Sequence, residues 1–147
     1  MMKNLPADIQ SVFQKKGIIT DEAQLFLKTD MGREAFFCDA YTLATKEGIA
    51  TLFCLKSLER DESASFFSPQ KSKEVLKELD YFFLPFSEIK KIKCEEQISV
   101  LRLIAERESG EEECLFFATA ACRKKLFDFC EKTISKEGVI LYEKFDI

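Results

Sequence analysis

The sequence predicts an α+β fold in which seven antiparallel strands form a barrel or sandwich that is capped by a C-terminal amphipathic helix. Three observations support this prediction. Apolar and polar residues alternate over short runs between residues 23 and 118, which is typical of half-buried strands. Turn-forming residues, often with a glycine, separate several of these runs. Apolar residues also recur at helical spacing before and after that region, which predicts one helix on each side.

The first of these helices is short and is predicted over residues 6–16. Ile9 and Phe13 lie four residues apart and therefore share one helix face. Pro6 suits the first turn of a helix, where its missing amide hydrogen is not needed, and Gly17 suits the position after the last turn.

The strands follow one another with short connections, which predicts antiparallel neighbours. Pro85 has no amide hydrogen to donate, so it marks the end or the edge of the fourth strand. The predicted strands cover residues 23–29, 34–45, 49–58, 81–86, 89–95, 98–108 and 113–118.

One polar stretch, residues 59–80, interrupts this order and is predicted to leave the sheet. Within it, residues 69–79 contain many lysines and glutamates and few apolar side chains. This composition favours a short charged helix near 69–79.

The C-terminal helix is predicted over residues 120–136, with a stripe of apolar side chains along one face. Thr119 can cap its first turn through the hydroxyl group, and Gly138 can end it. The apolar segment 139–147 then either adds a strand or belongs to a longer chain, and we favour the second interpretation.

These elements divide the sequence into three parts. Residues 1–19 form the N-terminal helix and its lead-in, and residues 20–137 form the main domain. Residues 138–147 form a tail or the start of a linker.

Composition disfavours several classes of function. The 147 residues carry a net charge of −4, which argues against general nucleic-acid binding. No histidine is present, so the commonest general base and the commonest metal ligand are missing. No apolar run is long enough to span a membrane, and the first residues lack the features of a signal peptide. A cytoplasmic location is therefore expected, in which the chain can be tethered to the inner face of the membrane as part of a longer protein.

The six cysteines are predicted to be free and mostly buried, because a chain of this size does not need disulfides for its core. Adjacent cysteines lie at least eight residues apart, whereas structural zinc sites use close pairs. No metal, cofactor or catalytic residue is predicted.

Two groups of basic residues are candidates for binding an anion or a lipid headgroup. Lys90, Lys91 and Lys93 lie on the fifth strand, and Lys28 and Arg33 lie near the first hairpin turn. The alternative is that the three strand lysines are solvated and protect a sheet edge. The glutamates between residues 106 and 113 are expected to form a solvated acidic hairpin rather than a calcium site.

Three runs of sequence resemble bacterial pleckstrin-homology-like (PH-like) domains over roughly residues 20–137. They are YFFLPFSEIKKI at 81–92, FFAT at 116–119 leading into the last helix, and CDAYTLAT at 38–45. Within that family the chain looks most like the N-terminal domain of certain bacterial ATP-binding-cassette (ABC) exporters. This resemblance implies a non-enzymatic binding or regulatory module that docks a protein partner or a neighbouring domain.

Other functions remain as alternatives. The chain can be a structural module that forms dimers through residues 139–147 or through aromatic strand faces. It can be a weak binder of anionic lipid. An enzyme with an unrecognised carboxylate or cysteine centre is the third alternative, and no residue pair in the sequence indicates one.

Overall fold

Two sheets form the centre of the computed structural model, which describes residues 5–20, 25–60, 72–137 and 142–146. The strands of the first sheet follow chain order and are all antiparallel. They are β1 (Leu25–Met31), β2 (Phe37–Ala44), β3 (Gly48–Arg60) and β4 (Ser72–Pro85).

The second sheet has three antiparallel strands in the predicted order and one additional parallel strand. Its order is β7-β6-β5-β8, and β8 pairs with β5. The strands are β5 (Ile89–Gln97), β6 (Val100–Arg107), β7 (Glu112–Thr119) and β8 (Tyr142–Asp146). The described strands thus form two sheets and no closed barrel.

Two helices accompany the sheets at the predicted places. They are α1 (Ala7–Lys15) and α2 (Arg123–Glu137). The predicted order of seven antiparallel strands between an N-terminal and a C-terminal helix is therefore confirmed. Pro85 ends β4 as predicted, and a 3₁₀ turn at Phe86–Glu88 leads into β5.

The first sheet separates two hydrophobic cores because its side chains alternate between its faces. On β2, Ala40 packs in the core that the two sheets share with α2, and the next residue, Tyr41, packs on the opposite face with α1. Phe53 and Phe116 lie at the centre of the shared core, with ring centroids 6.4 Å apart. Phe13 anchors α1 and is fully buried.

The predicted helix near 69–79 is wrong for residues 72–79, which belong to β4, while residues 69–71 lie outside the described residues. The excursion predicted over 59–80 is wrong at both ends, because residues 59–60 belong to β3 and residues 72–80 belong to β4. Residues 61–71 lie outside the described part. Residues 72–77 pair with the last six residues of β3. This pairing supplies the backbone hydrogen bonds that a lysine- and glutamate-rich segment would otherwise make as a helix, and such tertiary contacts override helix propensity.

The predicted cap of the C-terminal helix is also wrong. The Thr119 side chain makes no capping hydrogen bond to the following turn, which is a 3₁₀ turn at Ala120–Cys122. Its hydroxyl donates to the carboxylate of Asp30 in β1. Residues 142–146 of the tail form β8. An added strand was one of the two interpretations of the tail in the sequence analysis.

Asp30 connects the first sheet to the end of β7. The Thr119 amide donates to Asp30 Oδ1 at 2.9 Å, in addition to the bond from the Thr119 hydroxyl. Nearby, the Phe117 amide donates to the Gly32 carbonyl oxygen at 3.2 Å. Partial burial would raise the pKa of Asp30, but the hydrogen bonds from Thr119 outweigh it and hold this pKa below its ordinary value of 3.8.

We predict that Asp30→Ala lowers the free energy of unfolding at pH 7 by about 2 kcal/mol, the usual size for hydrogen bonds to a charged group. The ionised carboxylate stabilises the folded state above the ordinary pKa, and this stabilisation is lost as the pH falls through the lowered folded-state pKa. The difference between the two proteins should therefore shrink at pH 3. Urea unfolding followed by circular dichroism at both pH values measures it.

The matched control is Asp39→Ala, which removes a carboxylate from β2 that lies 3.8 Å from Lys28 Nζ at the surface. Exposed ion pairs contribute at most about 1 kcal/mol, so this variant should remain close to the wild type. An Asp30→Ala effect as small as that of the control, or one that is unchanged at pH 3, would contradict the role of Asp30.

Candidate functional site

A surface groove of about 400 Å³ lies between β1 and α2, and we call it the β1–α2 groove. Its wall on the strand side consists of Leu25, Phe26, Leu27 and Lys28. Successive residues of a strand point to opposite faces of the sheet. Because four consecutive residues line the groove, it runs along the edge of β1 and not over one face.

This edge of β1 is the outer edge of the first sheet. β1 pairs with β2 on one side, and no other described strand pairs with it. At its far end β1 meets β7 through the Gly32 carbonyl, while its first residues run beside α2. A terminal strand presents alternate backbone amide and carbonyl groups on its outer side, where another extended chain can pair with them.

The helix side of the groove comes from a single face of α2. Lys125, Asp128, Phe129 and Lys132 line it, and their spacing places them in one row along the helix. Phe129 is 5% exposed and belongs to the shared core, so it forms the apolar floor. The other three side chains are exposed and form the polar rim.

The charges of the groove differ from those of the whole chain. Its lining carries three lysines and one aspartate, in a chain with a net charge of −4. Lys28 is half exposed, and its Nζ lies 5.7 Å from the centre of the Tyr41 ring and 3.8 Å from Asp39 Oδ1. The β1–α2 groove is therefore a local positive region with an apolar floor.

The three lysines predicted as an anion site on β5 lie in the other sheet. Lys93 Nζ is 2.5 Å from Glu112 Oε1, and this contact lowers the pKa of Glu112. Lys91 adds to the same effect on Glu112. Lys90 is exposed at the point where the pairing of β5 with β6 shifts register. The lysine at position 93 thus already has a carboxylate partner.

Arg33, the other predicted anion ligand, lies at a junction between the sheets. Its guanidinium is 3.5 Å from Asp80 and 3.6 Å from Glu113, and it stacks over the Phe82 ring at 4.5 Å. These contacts hold Arg33 between β4 and β7.

The structure therefore does not bring the five predicted basic residues together. Of these, only Lys28 lines the β1–α2 groove, where it is joined by Lys125 and Lys132, which sequence analysis did not single out. The sequence does place Lys125 and Lys132 on the same helix face as Phe129, and this spacing was a signal that could have pointed to the site. Their proximity to β1 depends on long-range packing that the pattern of the helix does not contain.

A second cleft of about 350 Å³ lies between the end of α1, the β2–β3 turn and β4. It is lined by Tyr81 and Phe83, which are two residues apart and share one face of β4. This cleft therefore lies over a sheet face and beside a turn, and it does not run along the edge of a strand. The β1–α2 groove is the better candidate for docking an extended chain.

Among the described residues, no group of three or more histidine, cysteine, aspartate or glutamate side chains is placed to hold a metal ion. None of the described helices is both long enough and apolar enough to cross a membrane. Comparison with known proteins gives no match to any protein-family model or curated sequence.

All six cysteines are free. Burial raises the pKa of five of them, to about 11 for Cys38 and about 12 for Cys54, with upward shifts at Cys114, Cys122 and Cys130 as well. The sixth, Cys94, is 1% exposed. Because the thiolate is the reactive form, these thiols are poor nucleophiles at neutral pH.

We predict slow alkylation of every cysteine in the native protein at pH 7. The half-buried Cys114 and Cys122 should react before Cys38, Cys54 and Cys130, since access and thiolate fraction are both higher near the surface. Iodoacetamide labelling with site-resolved mass spectrometry measures the order, and the urea-unfolded protein is the control in which all six react alike. A native cysteine that reacts as fast as the unfolded control would contradict this prediction and favour the enzyme alternative.

Proposed function

We propose that this protein is a non-enzymatic binding module that docks an extended segment of a protein partner in the β1–α2 groove. The observation that carries the proposal is the open edge of β1 beside an apolar floor. An added strand gains affinity from hydrogen bonds to the backbone of the edge strand and specificity from pockets for alternate side chains. The outer edge of β1 would offer the first of these, and the apolar floor at Phe129 would offer a contact for a side chain of the partner.

The dimensions of the groove suit a short segment. Residues 25–28 of β1 line the groove beside α2 and would span about 14 Å in an extended strand. A partner segment of four or five residues would cover this length. Leu27 and Phe129 would contact its inward-pointing side chains.

The resemblance to PH-like domains supports the same class of function. It rests on the seven antiparallel strands followed by a C-terminal helix, together with the run YFFLPFSEIKKI at 81–92. By that resemblance, the module would be the N-terminal part of a bacterial exporter, and the docked segment would belong to a partner or to a neighbouring domain.

A selection experiment tests this proposal without assuming the chemistry of the partner. The full chain is used to select binders from a random dodecapeptide library. Hydrogen–deuterium exchange of the protein is then measured with and without a selected peptide. Because an added strand protects the backbone amides with which it pairs, we predict slower exchange in β1 and in the neighbouring face of α2.

β4, the other outer strand of the first sheet, is the internal control and should exchange at the same rate with and without peptide. Protection at β4, or at β5 around Lys90, would contradict the proposed site. The same conclusion would follow if the library yielded no binder while anionic vesicles bound the protein, and this outcome would favour the lipid alternative.

A further inference from the structure

We infer that the segment docked in the β1–α2 groove is acidic, with carboxylates on the face of the added strand that meets α2. This inference rests on the proposed function and adds the chemistry of the partner. Its basis is the placement of the three lysines of the groove relative to the edge of β1.

The lysines lie on both sides of the strand edge. Lys28 is on the face of β1 that also carries Phe26, since its ammonium group is near Tyr41 and Asp39 on the α1 side of the sheet. Lys125 and Lys132 project from α2, which packs on the opposite face with the shared core. Because Asp39 already partners Lys28, an extended chain added to β1 would meet most of the positive charge on the face toward α2.

The spacing of the helix lysines suits alternate side chains of a strand. Residues seven apart in a helix are separated by about 10 Å along its axis. Side chains on one face of a strand recur about every 7 Å. Long, flexible lysine side chains can accommodate this difference, so two carboxylates on one face of the docked segment can each meet one lysine.

The aspartate in the groove lining, the net charge of the chain and the shape of the groove define the docked segment further. Asp128, between the two helix lysines, would repel only the carboxylate nearest to it. The whole chain has a net charge of −4, so attraction of an acidic segment is specific to the groove and not a property of the whole surface. The groove is concave and lies between a strand and a helix, which favours an extended chain over the flat surface of a bilayer.

Fluorescence anisotropy with two labelled decapeptides tests the inference. One alternates glutamate and valine, and a control peptide alternates lysine and valine. We expect the full chain to bind the glutamate peptide and not the lysine peptide. Raising the salt from 50 to 300 mM should weaken binding several-fold, because exposed charges are screened.

Two double variants with the same change in net charge separate the groove from the overall charge. In Lys125→Glu/Lys132→Glu the change is inside the groove, and we expect at least a tenfold rise in Kd. In Lys90→Glu/Lys124→Glu the change is at exposed positions that do not line the groove. We expect less than a threefold rise for this control, and circular dichroism checks that both variants fold.

Each other outcome identifies what has failed. If library-selected neutral peptides protect β1 but the glutamate peptide does not bind, the inference is overturned and the proposed function stands. If no peptide of any composition binds, both are overturned. An equal loss of affinity in the two double variants would show that only net charge matters and would overturn the inference. Binding of phosphatidylserine vesicles without binding of the glutamate peptide would also overturn it.

Discussion

The contact between Asp30 and Thr119 determines where the first sheet meets the second. Both oxygens of the carboxylate accept hydrogen bonds, one from the Thr119 amide and one from its hydroxyl. These groups lie at the last residue of β7, immediately before the turn into α2. One charged side chain from β1 thus holds together the end of a strand and the start of the C-terminal helix, at a separation of 89 residues in sequence.

This contact also explains why β1 has an open edge. Hydrogen bonds join the end of β1 to β7 at Asp30 and, just after the strand, at Gly32, whereas residues 25–28 line a groove with α2. A helix cannot supply the alternating backbone groups that a neighbouring strand would, so the edge of β1 remains without a strand partner among the described elements. The β1–α2 groove is therefore a consequence of how the two sheets are joined. Any ligand placed there would contact an edge strand and a helix together.

Local sequence patterns predicted most of this fold, but they did not predict contacts between distant segments. The order of the strands and both helices followed from alternation, helical spacing and turn residues. Residues 72–79 were misassigned because lysine and glutamate favour helices, whereas pairing with β3 makes this segment part of a strand. Thr119 was assigned to a cap because nothing local indicates Asp30 as its partner. The site was predicted only through Lys28, since Lys125 and Lys132 acquire their role from packing against β1.

A titration followed by ¹⁵N–¹H correlation spectroscopy tests the central claim most directly. Uniformly labelled protein is titrated with the unlabelled decapeptide that alternates glutamate and valine, and the change in each amide signal is mapped onto the chain. The account predicts that the largest changes cluster in residues 25–28 and 125–132, the two sides of the β1–α2 groove. Changes confined to β5 around Lys90, or no change at saturating peptide, would contradict it.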